Sequence, residues 1–123
     1  MIDTFEVSVE ELKQHIEKRE DFFFINLHHH HHRDWSLMKA RGALVVDDDE
    51  VGKHLEEIPR NRPVIVYATC TGDEAAFKVA HELQNHGWTD VHPLTGGFAA
   101  YVGAGLPVEP SKETTQARKT MLL

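Results

Sequence analysis

Three short apolar runs constrain this chain more than any other feature: residues 22–25 with Leu27, residues 43–46, and residues 63–68. Each is short and continuous, and the first is rich in aromatics. That pattern favours strands buried on both faces over helices. The segments around them carry helical spacing instead. Ser8 and Glu11 form a capping box that opens a helix, and Val9, Leu12 and Ile16 share one of its faces. Val51, Leu55 and Ile58 make a second helical stripe that stops before Pro59. Ala76, Val79, Ala80 and Leu83 follow the i, i+3, i+4, i+7 pattern, and Gly87 is the expected stop. Residues 90–94 form a short strand candidate, Gly96 and Gly97 a turn, and residues 98–102 a final helical turn or two. Buried strands alternating with helices predict an α/β domain built on a mostly parallel sheet. Right-handed crossovers place helices on both faces. Functional loops in such sheets gather at the carboxyl edge of the strands. The loop after Leu27, the loop from Cys70 and the turn after Leu94 are therefore expected to meet.

The chain of 123 residues has the length of one domain, expected over residues 1–110 and followed by a polar tail over 111–123. No apolar stretch approaches the ~18–20 residues needed to span a bilayer. Residues 1–6 lack the basic region, apolar core and cleavage site of a signal peptide. A cytoplasmic protein is the expectation. The net charge of −7 disfavours nucleic acid or an anionic membrane as partner, since both require a basic face.

Cys70 is the only cysteine, so the chain forms no internal disulfide. It follows the third apolar run and precedes a Gly-containing stretch, with helical spacing beginning at Ala75. Strand, tight loop and helix in that order surround a thiol with backbone N–H groups and the positive end of a helix. Both stabilise a thiolate. The plainer reading of a lone cysteine is a small buried hydrophobe.

The residues around Cys70 carry a family resemblance. Cys70, Thr71, Gly72, Asp73, Glu74 and Ala75 form a six-residue loop, followed by a helix with Leu83 and then His86, Gly87 and Trp88. Gly96, Gly97 and Phe98 follow, then Gly105, Leu106 and Pro107. Together, over roughly residues 5–109, these resemble a single-domain rhodanese, the sulfurtransferase homology domain. The resemblance implies a three-layer α/β/α fold with a central five-stranded parallel sheet, residues 4–7 supplying the first strand. It implies sulfur transfer through a persulfide on Cys70, cradled by the backbone N–H groups of Thr71, Gly72, Asp73, Glu74 and Ala75. The partners would be a small-molecule or protein-bound sulfur donor and a thiol acceptor, with no metal or organic cofactor.

The sequence departs from that pattern in informative places. Relatives that use thiosulfate commonly carry a cation late in the loop, where this chain has Asp73, Glu74 and Ala75. Two carboxylates suit a helix start but repel a dianionic donor. Like charges 4 Å apart cost about 1 kcal/mol in water and several at an effective dielectric of 20. A neutral or protein-bound persulfide is therefore the expected donor. Asn26 and His28 stand where the family usually has Asp and Arg. A phosphatase relative would need a longer loop closed by Arg, where this chain has Ala76.

His28, His29, His30, His31 and His32 form a run that leaves the same edge as Cys70. It reads as a solvated loop, as a weak metal-binding alternative, or, with Arg33, as the source of the missing cation or proton donor. His28, Arg33 and Trp35 are thus possible auxiliary residues. Asp47, Asp48, Asp49 and Glu50 read as a helix start, with a Ca²⁺ or Mg²⁺ site as the alternative. Two other function classes stay open: a catalytically inactive binding or regulatory module on the same fold, and a metal-binding protein using the histidine run.

Overall fold

The computed structural model describes residues 2, 4–28, 38–69 and 73–110. Its elements in chain order are α1 (Val9–Glu17), β1 (Phe23–His28), β2 (Met38–Ala40), β3 (Leu44–Asp47), β4 (Val64–Ala68), α2 (Glu74–Asn85), β5 (Val91–Pro93), α3 (Gly97–Gly103) and β6 (Val108–Pro110). The three apolar runs become β1, β3 and β4, which pair in parallel with β5 in the order β3-β1-β4-β5. β2 and β6 form a separate antiparallel pair, tied down where Glu109 accepts the Gly42 N–H at 2.9 Å and meets Lys39 at 3.1 Å. These two donors, Gly42 first, hold the Glu109 carboxyl below its ordinary range.

The parallel sheet has four strands and not the five expected. The segment expected as the first strand contributes one parallel bridge, Val7 to Leu94. Val7 donates to the Pro93 carbonyl at 3.0 Å and accepts from the Thr95 N–H at 2.9 Å. A side chain stops this pairing from spreading backwards. His92 Nδ1 lies 2.8 Å from the Thr4 carbonyl and 3.0 Å from that of Phe5, so these acceptors meet an imidazole rather than a ladder.

Strand alternation gives the sheet two cores. Ile25, Leu27, Val64, Val66 and Ala68 face α2, where Ala76, Val79, Ala80 and Leu83 are all fully buried. Burying one Leu there is worth roughly 2 kcal/mol. Phe24, Ile65 and Tyr67 face the other way, against Leu12 of α1 and Tyr101 of α3. The three-layer arrangement follows from those opposite faces.

Helix ends follow their local chemistry. Ser8 Oγ accepts the Glu11 N–H at 3.2 Å, as a capping residue should. At the end of α2 the Gly87 N–H reaches Gln84 O and the Trp88 N–H reaches Leu83 O, each at 3.0 Å. This closure requires the left-handed φ of +101° that Gly87 supplies. The stripe of Val51, Leu55 and Ile58 does not form the α-helix its spacing suggests. It folds as two 3₁₀ turns, Val51–Lys53 and Leu55–Glu57, broken at His54. Val51 and Ile58 still reach the α2-side core, with Leu55 packed against it. A segment this short, with Gly52 inside it, cannot offset the cost of helix nucleation.

Candidate active site

β1, β4 and β5 are parallel neighbours, so the chain leaves all three at one edge. Leu27 is registered against Ala68, and Thr69 Oγ1 donates to the Leu27 carbonyl at 3.3 Å, tying the two strand ends together. β4 ends at Ala68 and α2 begins at Glu74. Cys70, Thr71 and Gly72 belong to that connection and lie outside the described residues. Its far end is visible. Asp73 is the N-cap of α2 and accepts the Phe77 N–H on its backbone carbonyl at 3.0 Å. Glu74 is exposed, while Ala75 packs against the α2-side core.

The turn after β5 approaches this junction closely. Gly96 donates its N–H to Asp73 Oδ2 at 3.1 Å. A Cβ on Gly97 would stand 2.8 Å from the Ala68 carbonyl oxygen and 3.7 Å from Asp73 Oδ1. Gly97 also has a φ of +61°, so both its conformation and its surroundings exclude a side chain. Beneath the turn, Phe98, Tyr67 and Tyr101 stack with ring centroids 5.4 to 6.1 Å apart. Tyr101 donates its hydroxyl to the Pro107 carbonyl at 2.5 Å, and burial pushes its phenol up to about 12.

Asn26 lies in β1 beside Tyr67, is buried, and has no hydrogen-bond partner for its Oδ1 among the described residues. His28 ends β1, registered against Asp47. The remaining histidines, His29 to His32, lie outside the described residues, as do Arg33 and Trp35. Asp47, Asp49 and Glu50 hold oxygens within 4.8 Å of one another, the one such grouping among the described residues. Glu50 is already paired with Lys53 at 3.3 Å. Two hollows open at the opposite edge of the sheet. One is lined by Asp21, Arg62 and neighbours, the other by Thr4, Phe5, Asp90 and His92.

The rhodanese-like domain family matches this chain over residues 8–104. The chain belongs to that family. A thiosulfate sulfurtransferase, GlpE of Glaesserella parasuis, is 31% identical over 75 residues, covering 61% of this chain and 68% of its own. The solution structure of a rhodanese-like domain from Anabaena sp. superposes with a TM-score of 0.71 at 23% identity, covering 89% of this chain and 82% of that one. A thiosulfate sulfurtransferase from Pseudomonas aeruginosa gives 0.67 at 18% identity over 88% of this chain and 20% of its own. These structural likenesses concern the fold.

Within this rhodanese-like frame, the described ends of the segments expected at the carboxyl edge lie together, and the rest of the loops after Leu27 and from Cys70 lies outside the described residues. Thr69 bonds across to β1, and Asp73 bonds across to the turn after β5. The sequence reading treated Asp73 and Glu74 alike, but the structure separates them: one carboxylate is held by a backbone N–H, the other is exposed. The contact of Asp73 with Gly96 was missed, and its only sequence signal is the Gly96–Gly97 pair, whose partner cannot be read locally. No described helix is long and apolar enough to cross a membrane.

Proposed function

We propose that this chain is a sulfurtransferase that carries sulfane sulfur as a persulfide on Cys70 and takes it from a donor other than thiosulfate. The carrying observation is membership of the rhodanese-like family, with the only cysteine placed in the connection between β4 and α2. In the loading step the Cys70 thiolate attacks the outer sulfur of a donor persulfide. A new S–S bond forms on Cys70, the donor S–S bond breaks, and the donor leaves as a thiolate with the electron pair. An acceptor thiolate then attacks the outer sulfur and releases Cys70 as a thiolate, so no external oxidant is needed. Backbone N–H groups at the start of α2 favour negative charge on sulfur at both stages.

Glu74 argues for the choice of donor. It is exposed at the first position of α2 and repels a dianion approaching that end. A neutral, monoanionic or protein-bound persulfide meets less repulsion. The histidine run supports the reading in one respect: it leaves β1 beside the strand that leads to Cys70, and strands so paired lie about 5 Å apart. His28 with Arg33 and Trp35 are the auxiliary candidates for cation, proton donor or pocket wall.

Intact-mass analysis tests the reading. After incubation with glutathione persulfide the wild type should gain one sulfur and Cys70→Ser none, with slower gain from thiosulfate. A wild type that gains no sulfur from either donor overturns the proposal and leaves a non-catalytic module on this fold. Replacing residues 28–32 by Ser and Asn should slow loading across pH 6–8; an unchanged rate removes the histidines from the mechanism.

A further inference from the structure

Asp73 stands where a short acidic side chain ordinarily turns back and accepts an N–H from the first turn of its own helix. Here its carboxylate makes no such bond to α2. Its backbone, at φ −105° and ψ 5°, lies outside the extended region that capping residues favour. The carboxylate reaches across to the Gly96 N–H instead. The next residue, Gly97, sits against the Ala68 carbonyl and the second oxygen of Asp73. The Gly96–Gly97 turn therefore touches both ends of the segment that carries Cys70: Ala68 before it and Asp73 after it.

We propose that Asp73 is a positioning residue for Cys70, latching the end of the cysteine loop to the Gly96–Gly97 turn and leaving the first-turn N–H groups of α2 to the sulfur anion. The inference rests on the persulfide reading above. It also gives one of the two acidic loop residues a purpose other than repulsion. Asp73 keeps its charge, but one of its oxygens is held by the Gly96 N–H, whereas Glu74 is exposed and is the carboxylate freer to meet a donor. The latch has two consequences. It fixes the Asp73 end of the segment that carries Cys70. It also keeps the Asp73 side chain off the helix terminus, so the donors there are left to the substrate.

Two variants that remove the same charge isolate the bond. Asp73→Asn keeps an acceptor oxygen of the same reach. Asp73→Ser is too short to reach Gly96 and supplies a hydroxyl suited to capping α2. Three readouts decide: melting temperature, the pH midpoint of Cys70 alkylation by iodoacetamide, and sulfur uptake from glutathione persulfide by mass. Asp73→Asn should load within about twofold of wild type, while Asp73→Ser loads ~10-fold more slowly, the scale of one hydrogen bond to a charged group. The alkylation midpoint of Asp73→Ser should lie above that of Asp73→Asn, with a melting temperature no lower. Equal loading and equal midpoints in the two variants overturn the latch. So does slow loading of Asp73→Ser that merely tracks a lower melting temperature. A wild type that takes up no sulfur overturns the persulfide reading instead, and the alkylation midpoints still decide the latch.

Discussion

The two edges of the parallel sheet use their polar groups differently. At the amino edge most of those described hold the chain together. His92 pairs with Asp90 at 2.6 Å through one ring nitrogen and meets the Thr4 and Phe5 carbonyls through the other. Arg62 pairs with Asp21 at 2.7 Å through one terminal nitrogen, while its buried Nε has no hydrogen-bond partner among the described residues. At the carboxyl edge Glu74 is exposed, Asn26 keeps a buried oxygen without a partner among the described residues, and Asp73 forgoes its own helix. Both edges are cut from the same strands, so the difference lies in what the loops do. Bonds that complete the fold consume donors and acceptors, and chemistry needs some of them left over.

Substitutions at each edge can break that contrast. Gly97→Ala is expected to have the largest effect, because it combines a left-handed φ with a Cβ pressed on the Ala68 carbonyl. Urea titration should show a loss of about 2–3 kcal/mol. Sulfur loading by the fraction still folded should fall as well, since the displaced turn touches both ends of the cysteine loop. His92→Leu at the amino edge should cost about 2 kcal/mol by stranding Asp90 and two carbonyls. It should leave loading per folded molecule unchanged, and reduced loading there would erase the distinction between the edges. Glu74→Arg should leave stability within about 0.5 kcal/mol and raise the rate of sulfur uptake from thiosulfate by about tenfold, as expected when a repulsive charge near the site becomes attractive. No gain with thiosulfate would mean that another feature sets the donor.

What could be read from the sequence divides along the same physical line. The strands β1, β3 and β4, the buried stripe of α2, the Ser8 cap and the Gly87 stop are local patterns, and each survives in the structure. So does the shared edge at which β1, β4 and β5 end, because parallel strand order dictates it. Features set by distant partners were not legible. The expected fifth strand shrinks to Val7 because His92, almost ninety residues on, takes the carbonyls before it. The Val51 stripe predicts the right buried face but the wrong helix, because a spacing of four then three is compatible with two 3₁₀ turns. β2 and β6 are three residues each and too short to show a period. The latch at Asp73 needs a glycine N–H twenty-three positions away. The acidic loop showed that something was unusual at Cys70, but not that its two acids differ.

The shortened first strand has one more consequence. A strand at the border of a sheet is a template on which a second molecule can add its own strand. On the outer side of β5 that invitation is answered by a single bridge at Val7, and beyond it by an imidazole that has already claimed the next two carbonyls. The segment covers the border without offering a fresh row of main-chain groups in its place. In this small domain, the irregular stretch before α1 leaves the outer border of β5 with one bridge instead of a ladder.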